Sequence, residues 1–163
     1  MCMVHSNKLT KELIEKAIKA KKPLKMYKVF EIYNRCGSKQ PKLLMSPYQC
    51  FCWKFGYNVD PNLEGFSDQQ LKLDRCELIK CFHLFETKKE AVEVFKQKMS
   101  LPYNKNRVII PVYVKAKDII SKGNLIHFSG NNQWDRKHNS VGVRALTIKK
   151  EDVIKVLKEK CIK

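Results

Sequence analysis

LIKCFHLFETKKEAVEVFKQKMSLPYNKNRVIIPVYV, residues 78–114, passes from a strand signal through a helix signal to a second strand signal. LIKCFHLF (78–85) is short, apolar and rich in residues that favour a pleated surface. Thr87 and Glu90, three apart, form a capping box that predicts a helix over 88–99 with Val92, Phe95 and Met99 inward. RVIIPVYV (107–114) is the most hydrophobic run, but Pro111 cannot donate a ladder hydrogen bond, which predicts an edge strand or a bulge. The three together fit one βαβ crossover.

On the C-terminal side, Asp118 to Gly123 reads as one helical turn with a glycine stop, followed by a brief strand LIHF (125–128). SGNNQWDRKHNS (129–140) reads as a polar loop. VGVRALTI (141–148) predicts a last strand, and KKEDVIKVLKEK (149–160) a closing helix with Val153, Ile154, Leu157 and Cys161 inward.

On the N-terminal side, residues 58–74 read as a long surface loop holding four of the five acidic residues of the segment 46–85. QCFCWKFGY (49–57) places Phe51, Trp53 and Phe55 on one side by alternation. KLLM (42–45) is a hairpin partner for LKMYKVFEIY (24–33), an aromatic and β-branched central strand. Residues 9–21 put Leu9, Leu13, Ile14, Ala17 and Ile18 on one helical face, with Thr10 as N-cap and Pro23 as stop. Residues 1–7 are expected to fray. Strands and helices mix without a βαβα rhythm, so the expected fold is one α+β domain over 1–163. It has a mixed or antiparallel sheet of about five to six strands and N-terminal, central and C-terminal helices.

A chain of 163 residues, 44% hydrophobic, supports one core and excludes disorder throughout. No apolar run is long enough to span a bilayer, so a cytoplasmic protein without a signal peptide is expected. Seven cysteines without a regular framework suit a reducing compartment. The net charge is +17, from 33 Lys and Arg against 16 Asp and Glu, and it falls in the first 45 residues and from residue 86 onward. Such a field favours an anionic partner. Only five of the basic residues are Arg, however, and lysine excess also follows from genome composition, so a purely solvating role stays open.

Cys50, Cys52, Cys76 and Cys81 with His83 invite a zinc reading, but the one-residue gap of Cys50 and Cys52 fits packing better than a metal knuckle. No metal and no cofactor are expected. Cys2 is a weak candidate for an N-terminal nucleophile, because it would need a fixed terminus. His83 lies in a strand without the acidic or glycine-rich company that hydrolase or kinase chemistry requires. Trp134 and Arg136 stand among Asn, Gln, Asp and Lys in the polar loop, where an aromatic ring beside cations offers base stacking with phosphate neutralisation. A Trp folded back onto the core is the competing account. Tyr48, held after Ser46-Pro47 at a chain reversal, is the aromatic best placed to face a cleft. Tyr48, His83 and Arg144 are expected to line a recess beside that loop, and Lys28 completes the set of candidate ligand-binding residues.

The order YKVF (27–30), SPYQCFCWKFG (46–56), CFHLFETKKEA (81–91) and VIIPVYVKAKDII (108–120), with the closing strand and helix, resembles a group of small phage and large-virus accessory proteins of uncharacterised activity. That resemblance implies a viral product acting in a host cytoplasm, with countering a host response as its expected role. CFHLFETKKEAVEVF followed by RVIIPVYV is also similar to the ADP-ribosyltransferase fold, which implies an enzyme acting on NAD. The chain departs from that fold in offering Tyr27-Lys28 where Arg or His is usual and no glutamate in VGVRALTI, so no catalytic residue carries over. The expectation is a binding protein for a nucleotide or nucleic acid, with a protein-binding inhibitor of a host factor and the NAD-acting enzyme as alternatives.

Overall fold

The computed structural model describes residues 2–33, 43–45, 53–61, 81–97, 107–128 and 134–161. Among these the chain runs β1 (Cys2–His5), α1 (Asn7–Ala20), β2 (Leu24–Tyr33), β3 (Leu43–Met45), β4 (Gly56–Val59), β5 (Phe82–Leu84) and α2 (Lys88–Gln97). It continues with β6 (Arg107–Val114), a 3-10 turn (Ala116–Asp118), β7 (Ile119–Phe128), β8 (Trp134–Val143), β9 (Ala145–Ile148) and α3 (Lys150–Cys161). The expected α+β class holds, and of the two sheet types left open the antiparallel one is realised. The strands form two antiparallel sheets, ordered β1-β7-β8-β5 and β3-β2-β6-β9-β4. No described helix is long and apolar enough to cross a membrane.

Strand alternation builds the core. Met26, Phe30 and Ile32 of β2 and Val108, Ile110, Val112 and Val114 of β6 point the same way and are buried, joined by Leu13 and Ala17 of α1 and Val153 of α3. Trp53 fastens the two sheets together. Its ring meets Phe30 of the five-stranded sheet edge-on at 5.3 Å and Phe82 of the four-stranded sheet at 4.4 Å.

β6 lies in the middle of its sheet, with neither the edge position nor the bulge that Pro111 predicted. The hydrogen-bond register explains why. Pro111 faces Tyr27, whose own N–H and carbonyl turn the other way to pair with Phe85 at 2.8 and 2.9 Å, so no donor is needed on that side. On the other side Tyr113 pairs with Thr147, which carries position 111 past the end of β9. A proline is tolerated there because no carbonyl waits for its missing N–H.

Several local expectations change for tertiary reasons. The N-terminal segment is not frayed: β1 pairs with β7 from Cys2↔Ile126 to His5↔Gly123, and the Ser6 N–H donates to the Lys122 carbonyl at 3.0 Å. Ser6, not Thr10, caps α1 by accepting from the Leu9 N–H. Thr10 is buried, where its hydroxyl donates to the Ser6 carbonyl and accepts from the Lys122 N–H at 2.9 Å. The helical turn expected at 118–123 lies at Ala116–Asp118, and β7 starts directly after it. The polar loop 129–140 is strand from Trp134 onward, because the β7 edge pairs with it, Phe128↔Trp134 to Ile119↔Val143. β5 and β6 belong to different sheets, which rules out the crossover. Ile154 is 40% exposed rather than inward.

The strand expected over 141–148 breaks at Arg144, where the chain leaves one sheet and enters the other. Both backbone groups of Arg144 are used: its N–H donates to the Asp118 carbonyl at 2.8 Å, and its carbonyl accepts from the Asp60 N–H at 2.9 Å. The capping box is as expected, with the Thr87 N–H donating to Glu90 at 3.1 Å and the Glu90 N–H to the Thr87 hydroxyl at 3.2 Å.

Candidate functional site

The odd-numbered residues of β2 and β6 face away from the core. At one end of that outer face α2 covers it, with Phe85 and Ala91 against Tyr27, Val29 and Ile109. At the other end Tyr113 and Thr147 are half-buried, and exposure rises toward β4. There the pairings Lys25↔Tyr113, Tyr113↔Thr147 and Thr147↔Tyr57 set four residues in a row across β2, β6, β9 and β4. Tyr57 and Val59 are each 40% exposed, on the outer side of β4.

Tyr57, Tyr113 and Tyr27 each have an ammonium group over the ring. Lys115 Nζ lies 5.3 Å from the Tyr57 centroid, Lys149 Nζ 4.0 Å from that of Tyr113 and Lys25 Nζ 6.0 Å from that of Tyr27. Two of the phenols are pinned by carboxylates. The Tyr57 hydroxyl donates to both oxygens of the buried Asp118 at 3.0 Å, and the Tyr113 hydroxyl donates to Asp152 at 3.0 Å. Desolvation and then these carboxylates raise both phenols above their ordinary range, so they stay protonated donors at neutral pH. The result is a rigid aromatic surface edged by cations.

The inner face of the same strands holds a different cluster. Lys28 sits in the inward row between Met26 and Phe30, 6% exposed. Its ammonium donates to the His83 carbonyl at 3.2 Å and lies 5.3 Å from the Trp53 centroid and 6.0 Å from that of Phe82. Burial pushes its pKa from 10.5 to about 8, against the opposing fields of Cys81 and Asp60. The Cys81 thiol is pushed up to about 12 by burial and by Asp60, so it stays protonated at neutral pH. Asp60 was expected in an acidic surface loop, yet it is 0% exposed. Asn58 turns the chain inward there: its side-chain amide accepts from the Lys54 N–H and donates to the carbonyls of Lys54 and Gly56 at 2.9 and 3.0 Å.

Of the residues predicted to bind ligand, Lys28 and His83 meet, and Arg144 follows the Gly142–Val143 segment that pairs with His83 and Phe82. Lys28 faces the interior, not a partner. Trp134 and Arg136 lie in β8 near the far end of the β7–β8 hairpin. Trp134 is eight positions from the Gly142 that pairs with His83, or about 27 Å of extended strand, so the structure does not bring the two groups together. Tyr48, Cys50, Cys52 and Cys76 lie outside the described residues. Of the run expected to face one side, Trp53 is buried while Phe55 is 48% exposed, because residues 53–55 are not in a strand and β4 begins only at Gly56.

Sequence reasoning missed Tyr57, Tyr113, Lys25, Lys115 and Lys149. A signal existed, because Lys25-Met26-Tyr27 places lysine and tyrosine two apart on one strand face. Comparison of the chain with protein-family models, with curated proteins and with solved structures finds no match.

Proposed function

We propose that this chain is a binding protein for an anionic, base-bearing ligand, a nucleotide or nucleic acid, held on the outer face of the five-stranded sheet. The observation that carries this reading is the row Lys25, Tyr113, Thr147 and Tyr57, with ammonium groups over its tyrosine rings. Tyr57 is exposed and Tyr113 half-buried, and aromatic rings beside cations suit bases and phosphates together. The net charge of +17 adds a long-range attraction for the same ligand.

The lysines now over the rings do not block it. An exposed cation–π contact is worth about 0.5–1 kcal/mol. Stacking of a base on an aromatic ring contributes about 1–3 kcal/mol. A base therefore displaces the ammonium, which then meets the phosphate beside it.

Titration of labelled DNA, RNA and nucleotides at low and high salt tests the proposal. Affinity is expected to fall steeply with salt as counterions are released. Failure of every probe to bind at low salt, or unaltered binding by a Lys25→Gln, Lys115→Gln, Lys149→Gln triple variant, overturns it.

A further inference from the structure

We infer that the ligand of this face is single-stranded nucleic acid, with unstacked bases lying against Tyr57 and Tyr113 and its backbone beside Lys115; this rests on the anionic-ligand reading above. Thr147 separates the two tyrosines by one strand, so their Cα positions lie two strand spacings apart, about 10 Å. Bases along one strand of a duplex follow each other every 3.4 Å or so and present only their edges to the grooves. Two fixed rings at that separation therefore find no pair of base faces in a duplex. A single strand can splay its bases to reach both. A mononucleotide fills one ring and leaves the other empty.

The rings are prepared for this role. Their hydroxyls are held by Asp118 and Asp152, so little side-chain freedom is lost on binding. Tyr113 is half-buried beside Asp152, whereas Tyr57 is 40% exposed beside Lys115, so the Tyr57 end is the stronger one.

Fluorescence anisotropy with three labelled probes tests the inference: an oligothymidylate of about ten nucleotides, a blunt duplex of the same length and a mononucleotide. Each is titrated at about 50 and 200 mM salt. The single strand is expected to bind at least about tenfold tighter than either other probe at the higher salt, where the shared electrostatic contribution is weakened. Tyr57→Leu should lose roughly tenfold for the single strand and leave the duplex nearly as before, whereas Tyr57→Phe, which keeps the ring, should stay within about threefold of the parent protein. Equal affinity for single strand and duplex at both salts, or equal losses for both probes in Tyr57→Leu, overturns the inference while leaving the anionic-ligand reading standing. Absence of binding by all three at low salt overturns both. The comparison of probes on the unaltered protein does not depend on either variant folding.

Discussion

Lys25 and Lys28 stand three residues apart on the same strand and share nothing else. Lys25 is exposed on the outer face, 6.0 Å from the Tyr27 ring centroid. Lys28 is buried between Trp53, Phe82 and the His83 carbonyl, with its pKa driven down to about 8. A charge count treats them alike. The fold separates a lysine that can meet a phosphate from one that can meet only protein, so a surplus of basic residues says little until each is placed on a face.

The inner half of the comparison is broken most directly at Trp53. Trp53→Ala removes the ring that packs on Phe30 and Phe82 and lies under Lys28, and it is expected to destabilise the fold by about 3–5 kcal/mol in urea or guanidinium denaturation. A loss below about 1 kcal/mol would mean that the ring is not a core element.

Next in size is a pH effect that belongs to Lys28. Its folded pKa near 8 lies below its ordinary value of 10.5, so burial penalises the protonated form. Below about pH 8 both states are protonated and the full penalty applies. Between pH 8 and 10.5 the unfolded chain binds more protons than the folded one, so stability should rise by up to about 3 kcal/mol from this group. The raised phenols of Tyr57 and Tyr113 act in the opposite sense above about pH 10. Subtracting the denaturation profile of Lys28→Met isolates the lysine, and a flat difference curve across the window would contradict its assigned burial.

The outer half is sharpened by salt. The triple Lys25→Gln, Lys115→Gln, Lys149→Gln variant should reduce the slope of log affinity against log salt by about 2, close to 0.7 for each phosphate contact to a single strand. An unchanged slope would place the contacts elsewhere. The smallest effect completes the pair: Lys25→Met should shift stability by no more than about 0.5 kcal/mol, since an exposed cation over a ring contributes little to the fold. A larger shift would show that Lys25 is part of the packing after all.

Much of the fold was legible along the chain. The capping box at Thr87 and Glu90, the hairpin of 42–45 with 24–33 and the closing helix are local patterns, and they appear where their residues predicted. Misplaced features are those that another segment decides. Thr10 has the chemistry of an N-cap, but the chain reaches the helix four residues earlier because β1 is tied to β7 through Lys122. Trp134 and its polar neighbours read as a loop because their strand pairing depends on the β7 edge. Asp60 read as solvated, but the Asn58 turn and the bond from its N–H to the Arg144 carbonyl bring it inside.

By itself the sequence determined the class of the fold, the alternation of β2 and β6 and the positions of the helices, because alternation and capping act within a few residues. It also placed lysine and tyrosine two apart at 25–27 and at 113–115. Only the tertiary structure decided that Lys25, Tyr113, Thr147 and Tyr57, drawn from four separate segments, stand in one row while Lys28 and Asp60 enter the core. The reason is that a period of two fixes which side a residue faces but not its neighbour across the sheet. That neighbour is set by register, which depends on pairing between segments far apart in the chain.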